Sequence, residues 1–322
     1  MNLQAQLRLG LFIECPMSRL DPIIGILLAI AFLLFTMQAS ASEIEPRSYI
    51  NTPVGVNFLL VGYSYLDGNI PTEDSAPIKD AKLAVNTQAL SYVRTLDLFG
   101  KPAKLAAILP YSQLSGTAMV LGRPQERKIS GFNDPRFSLS MNFYGAPVLS
   151  PQEFASYQQN LIIGGSIQVS PSLGQYDDEK LVNLGNNCWF ARPDIGMSKA
   201  WGPVTLELST GVFFFTKNDD YFGGKTLEQN PISSSQLHIT YNFSNGAWIT
   251  LSGTHDYGGG RIINGISSND IQNNTRIGAT FAVPVNRRNS IKFYASDSLR
   301  TTYGVDAYLV GVAWQYRWGN GL

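Results

Sequence analysis

Residues Tyr308 to Trp318 read YLVGVAWQYRW, and the two parities of this stretch are chemically unlike. One set is Tyr308, Val310, Val312, Trp314, Tyr316 and Trp318; the other is Leu309, Gly311, Ala313, Gln315 and Arg317. A period of two belongs to a β-strand, which presents alternate side chains to opposite faces. The stretch is as long as the roughly 9–11 residues that a tilted strand needs to cross a bilayer. Its aromatic residues gather toward the end, where an interfacial girdle sits if the apolar face meets lipid. In hydrocarbon no backbone N–H or C=O can be left unpaired, so strands cross only as a closed barrel, the last pairing with the first. The pattern predicts an all-β transmembrane antiparallel barrel, with Trp314, Tyr316 and Trp318 in the membrane girdle.

The N-terminus supplies a compartment. Ile23 to Phe35 is an uninterrupted apolar run, preceded by Arg19 and followed by Ala39-Ser40-Ala41. That order is expected of a secretory signal peptide, and the run is short for a membrane-spanning helix. The reading divides the chain into a signal peptide over 1–41 and an outer-membrane barrel over 42–322, with Met17 as the expected functional start. Cys15 leaves with the signal, so Cys188 is the one mature cysteine and no internal disulfide is expected. A lone cysteine with two histidines is poor material for a metal site. No cofactor is expected either. The balance of 24 basic and 24 acidic residues leaves no generic nucleic-acid footprint.

Twelve strands are expected: 54–66, 83–97, 103–115, 132–144, 159–170, 188–199, 203–217, 232–244, 246–257, 272–285, 290–299 and 305–318. The connections after the second, sixth, eighth and tenth are tight, as in Ser244-Asn245-Gly246 and Trp201-Gly202-Pro203, which carry turn chemistry. Most of the intervening connections are long and polar. Short periplasmic turns and longer extracellular loops, with both termini inside, fit that asymmetry. The long connection Gly145 to Gln158 falls on the short side and is expected to hold a small periplasmic helix.

Parity separates the faces. Val204, Leu206, Leu208, Val212 and Phe214 oppose Thr205, Glu207, Ser209 and Gly211, and the fourth, eighth and tenth strands alternate alike. The charged residues on the polar parity are Arg94, Arg136, Arg192, Asp194, Glu207, His238, Arg276, Lys292 and Arg317. They are lumen or selectivity candidates, and two readings stand open: pairing that fills the lumen, or a constriction that sets solute preference. Arg136, Glu207 and Arg276 are expected to share one charged network. In the external segment Asn218 to Pro231, Tyr221 and Phe222 are candidates for solute capture or contact with lipopolysaccharide, and Asp219 and Asp220 read as a solvated loop rather than a Ca²⁺ site. Gly258-Gly259-Gly260-Arg261 lacks the context of a phosphate cradle and reads as a flexible loop tip. A catalytic site is not expected: His255 cannot pair on one face with Ser252 or Thr254, and no nucleophile elbow accompanies His238.

Several pieces together resemble one family. Pro46-Arg47-Ser48-Tyr49 with Thr52-Pro53-Val54-Gly55-Val56-Asn57-Phe58-Leu59, Gly131-Phe132-Asn133-Asp134-Pro135-Arg136, Tyr144-Gly145-Ala146-Pro147, Leu173-Gly174-Gln175-Tyr176-Asp177, Asn183-Leu184-Gly185-Asn186-Asn187 and Trp314-Gln315-Tyr316-Arg317-Trp318-Gly319 are similar to the "MetA-pathway of phenol degradation" proteins. Cys188 departs from that pattern, standing where a basic residue is expected. The resemblance implies a bacterial outer-membrane barrel associated with uptake of aromatic or other hydrophobic compounds. It favours a passive channel over two alternatives, an outer-membrane lipase and a non-conducting structural or adhesion barrel. The partners that follow are outer-membrane lipids, lipopolysaccharide, the barrel-assembly machinery and a small hydrophobic solute, with no nucleic acid.

Overall fold

The computed structural model describes residues 45–70, 78–120, 122–180 and 182–319. The expected signal peptide lies outside them. The membrane is crossed by strands; among the described residues no helix is long and apolar enough to do so. Twelve strands form the ring: β1 (Val56–Asn69), β2 (Ile78–Leu98), β3 (Lys101–Val120), β5 (Arg136–Tyr144), β6 (Leu161–Ser170), β7 (Phe190–Trp201), β8 (Val204–Phe215), β11 (Ile232–Asn242), β12 (Trp248–Gly258), β15 (Gln272–Pro284), β16 (Asn289–Arg300) and β17 (Asp306–Gly319). Every pairing around the ring is antiparallel, and β1 closes on β17 from Val56↔Gly319 to Asn69↔Asp306. No backbone edge faces lipid.

The expected faces appear in the wall. In β11, Leu237, Ile239 and Tyr241 are exposed on the outside, while Gln236, His238 and Thr240 are buried inside. Outside polarity is therefore inverted relative to a soluble protein, as lipid requires. On β17 the Trp314, Tyr316 and Trp318 rings stack in series, with centroids 6.1 and 5.7 Å apart. Trp314 also donates its indole N–H to Asn289 at 3.0 Å, so an apolar ring carries a polar tip at the interface.

The turns orient the barrel. β2 and β3 are joined through Phe99 and Gly100, both at positive φ (56° and 74°), the geometry of a two-residue hairpin turn. The connection between β5 and β6 holds the expected short helix, α1 (Pro151–Phe154), whose Ser150 and Glu153 cap each other reciprocally.

The extracellular side holds strands that the alternation does not announce. β4 (Arg123–Phe132) folds back on the upper half of β3, while β5 pairs with its lower half. A separate sheet, β14-β13-β10-β9, caps the barrel from β9 (Asn218–Tyr221), β10 (Lys225–Gln229), β13 (Arg261–Ile263) and β14 (Ile266–Ser267). Tyr221 is fully buried there against Leu227, with Phe222 and Ile263 packed around them. The capture role expected for Tyr221 is thus corrected, because its ring is the buried core of this sheet, while Phe222 packs against that core half-buried. Arg261 is likewise no loop tip, since it is buried in an ion pair with Asp270 and its backbone N–H donates to the same carboxylate at 2.9 Å. Asp219 pairs with Lys217 at 3.3 Å.

Candidate functional site

The lumen is divided lengthwise. The segment 45–53, just before β1, enters from the periplasmic end and lies against β6, β7, β8, β11 and β12. Its Tyr49 ring sits where two inward glycines leave room: a Cβ added at Gly196 would fall 2.2 Å from that ring, and one at Gly164 2.8 Å. The Tyr49 hydroxyl donates to Asp194, and its backbone N–H to Glu207 at 3.1 Å. Lys104 on β3 donates to the Ser48 carbonyl at 2.6 Å from across the lumen. Arg47 reaches Asn242 at 2.9 Å and lies over the Trp248 ring at 5.0 Å. It does so at a φ of 71°, a left-handed conformation costing about 1–2 kcal/mol in a non-glycine residue, which those contacts must offset.

The other half is open. A cavity of about 1270 Å³ runs from Thr301, Gly304 and Val305 near the extracellular end to Asn286, Arg287 and Arg288 at the periplasmic turns. Its wall on β1, β2 and β3 is mostly apolar, with Phe58, Leu60, Val93 and Ile108 facing in beside the hydroxyls of Ser64, Thr87, Ser91 and Ser112. The facing wall on β12 and β15–β17 is polar, with Asp256, Arg276, Lys292 and Arg317. At the extracellular mouth, Val182 and Leu184 from the β6–β7 loop are buried against Leu83 and Leu114 of the wall.

These positions sort the sequence candidates. Arg136, Arg276, Lys292 and Arg317 line the open cavity. Arg192, Asp194 and Glu207 belong to the filled half, where Arg192 pairs with Asp194 at 3.2 Å and covers the Phe213 ring at 5.0 Å. Of the expected network of Arg136, Glu207 and Arg276, the last two bond to different partners. Glu207 holds Tyr49, while Arg276 donates to Ser296, Ser298 and the Ala307 carbonyl at 3.2–3.4 Å, and the strands β11 and β12 stand between them in the wall. Arg94 is a correction of another kind: it is exposed on the outer parity of β2 with Leu90 and Tyr92. Lys104 was missed, since its strand neighbours on the inner parity, Ala106 and Ile108, carry no polar signal.

His238 is buried in the wall, with Nδ1 2.8 Å from the Ser252 hydroxyl and Nε2 3.1 Å from Gln236. The trio looks like a nucleophile and its base. Neither Ser252 nor His238 is among the residues lining the cavity.

Residues 67–316 match the family described as "Putative MetA-pathway of phenol degradation". The chain belongs to that family. The COG4313 outer membrane channel from Pseudomonas putida F1 is similar in structure, with a TM-score of 0.74 at 18% identity over 86% of this chain and 100% of that one. The transport unit of the autotransporter AIDA-I from Escherichia coli reaches a TM-score of 0.51 at 8% identity, covering 90% and 97%. No curated protein matches. The closed barrel with its lipid-facing exterior, in this phenol-degradation family, is a bacterial outer-membrane protein.

The family motifs meet in space. Asp134 of the Asn-Asp-Pro break between β4 and β5 accepts N–H groups from Gly174 at 2.7 Å and Asn186 at 2.8 Å. Gly174 and Gly185 touch backbone to backbone; a Cβ on Gly174 would lie 2.8 Å from the Gly185 Cα. Gly131 leaves space for Gln175, whose N–H donates to the Phe132 carbonyl at 2.8 Å. Three separated motifs thus form one knot, which holds Val182 and Leu184 in the mouth. Cys188 is buried beside this knot in the loop, not on a wall strand, and burial pushes its thiol up to about 11.

Proposed function

We propose that this protein is a channel for passive uptake of small hydrophobic or aromatic compounds across the outer membrane. The observation that carries the reading is the cavity of about 1270 Å³, one side of which is mostly apolar along β1–β3. A water-filled pore for ions and sugars has no use for such a wall, whereas an apolar solute gains about 25 cal/mol per Å² of surface it buries there. Passage runs down the solute's own gradient, without nucleotide or metal. The segment 45–53 and the Val182–Leu184 contact narrow the two ends and so govern opening. The described exterior meets outer-membrane lipids; insertion by the barrel-assembly machinery and contact with lipopolysaccharide accompany this reading.

Growth of a deletion strain on limiting aromatic substrates, against the same strain carrying the gene, tests it. Slower growth and slower uptake in the deletion strain, restored by the gene, are expected. Unchanged uptake across a broad aromatic panel would move the assignment to a structural barrel.

A further inference from the structure

The cavity wall is chemically ordered in a way that names its solute more closely. Register places Arg317, Phe58, Val93 and Ala106 side by side on β17, β1, β2 and β3. The next inward row reads Gln315, Leu60, Ser91, Ile108 and Arg136, so an apolar patch has a guanidinium at each flank. One row further, Lys292 follows Ala313, Gly62 and Ala89, whose small side chains leave a flat surface. Lys292 lies 5.5 Å from the Tyr294 ring centroid, and Arg317 donates its Nε to a neutral carbonyl, that of Arg287, at 2.6 Å. Of the charged residues lining the cavity, seven are Arg or Lys and two, Glu45 and Asp256, are acidic.

We infer that the cavity selects amphipathic organic anions: an aromatic ring or short apolar body bearing one carboxylate or phenolate. The apolar patch takes the body, and the cations of Arg317, Lys292 and Arg136 take the charge. A neutral hydrocarbon would use only the first feature and an inorganic anion only the second. The inference rests on the channel reading above and adds the sign of the solute's charge to it.

Full-length protein in planar bilayers and in proteoliposomes separates the two readings. Bi-ionic reversal potentials compare benzoate with chloride and with benzylammonium, and proteoliposome swelling follows phenyl glucoside, a neutral aromatic solute. Benzoate is expected to permeate about fivefold or more faster than benzylammonium, which a single favourable charge contact allows, and faster than chloride. Lys292→Met and Arg317→Met, each checked for heat-modifiable gel migration, should lower the benzoate-to-benzylammonium ratio. Leu60→Asn should lower the benzoate-to-chloride ratio instead. Phenyl glucoside uptake with benzylammonium equal to benzoate would overturn the anion inference and leave the channel reading standing. So would ratios unmoved in all three variants. If neither phenyl glucoside nor any of the ions passes, the channel reading falls and the inference with it.

Discussion

On the β6–β7 side of the lumen, inward glycines are occupied by a ring; on β1 the inward Gly62 faces space. Gly164 and Gly196 receive the Tyr49 ring, and a Cβ at either position would collide with it. Gly62 faces the cavity, and a Cβ there would meet Ala313 at an ordinary 3.7 Å. Both walls come from antiparallel strands with the same side-chain period. What distinguishes them is the segment 45–53, which packs the Tyr49 ring on the β6–β7 side and touches the other side through Thr95 of β2 and Lys104 of β3. A barrel interior can thus be a packed core and a passage at the same height.

The largest effect is expected from forcing the filled half open. Gly196→Leu places a side chain in the volume of the Tyr49 ring, so the inserted segment must leave. Single-channel conductance should rise several-fold, and Tyr49→Ala, which alters no wall residue, should move it the same way. Conductance unchanged in both variants would mean that the segment does not obstruct the passage.

Glu207→Ala attacks the same half through its hydrogen bonds. The carboxylate accepts the Tyr49 N–H and is 2% exposed, so truncation leaves that donor without its acceptor. A loss of about 1–3 kcal/mol in unfolding free energy is expected, the usual cost of a buried group left unsatisfied. Conductance should become noisier as the segment loosens. An unfolding midpoint equal to that of the native protein would show that Lys104 and Arg47 hold the segment without Glu207.

In the open half the outcome should reverse. Gly62→Leu adds volume where there is space, so unfolding changes by less than about 1 kcal/mol, within the range of substitutions that disturb no packed neighbour. Flux of aromatic solutes should fall, because the flat surface between Ala313 and Ala89 is lost. A large drop in stability with unchanged flux would mean that the cavity is closed in the native state.

The same comparison explains what the sequence made legible. Alternation on β7, β8, β11, β12, β15, β16 and β17 located the strands to within a few residues and put Arg192, Asp194, Glu207, His238, Arg276, Lys292 and Arg317 inside. The rule applied there, that the polar parity faces in, fails on β2. Its inner parity carries Leu83, Val85, Ala89 and Val93, since the passage itself is mostly apolar there, and Arg94 lies on the outer one. Polarity alone cannot orient a strand whose inner face, with Thr87 and Ser91 among apolar residues, is no more polar than its outer face, with Asn86 and Gln88. The placement of the segment 45–53 inside the lumen escaped for a different reason: its bonds to the barrel reach residues 42 to 195 positions away, and no local period reports them. The family motifs do carry a signal: Gly131, Asp134, Gly174 and Gly185 all lie in them, and all meet in the loop knot.

The smallest effect is expected at the loop knot, which can be probed without changing the passage. Cys188 is 8% exposed, and burial lifts its thiol to about 11, against the roughly 8.5 of a free cysteine. At pH 8 only about one thiol in a thousand is then ionised in the folded protein, against about one in four in an unfolded chain. Since the thiolate is the reacting form, iodoacetamide should label the folded protein at least a hundredfold more slowly than the urea-unfolded one. Linkage fixes the sign for stability: a thiol whose pKa is raised by folding loses its advantage as pH climbs through the unfolded value toward the folded one. Unfolding should therefore become easier between about pH 8.5 and 11. Asp134→Asn weakens the clasp on Gly174 and Asn186 and should speed labelling while leaving the 45–53 segment in place. Fast labelling of the native protein would show that the knot opens on its own, and that the mouth is gated by the loop rather than fixed by it.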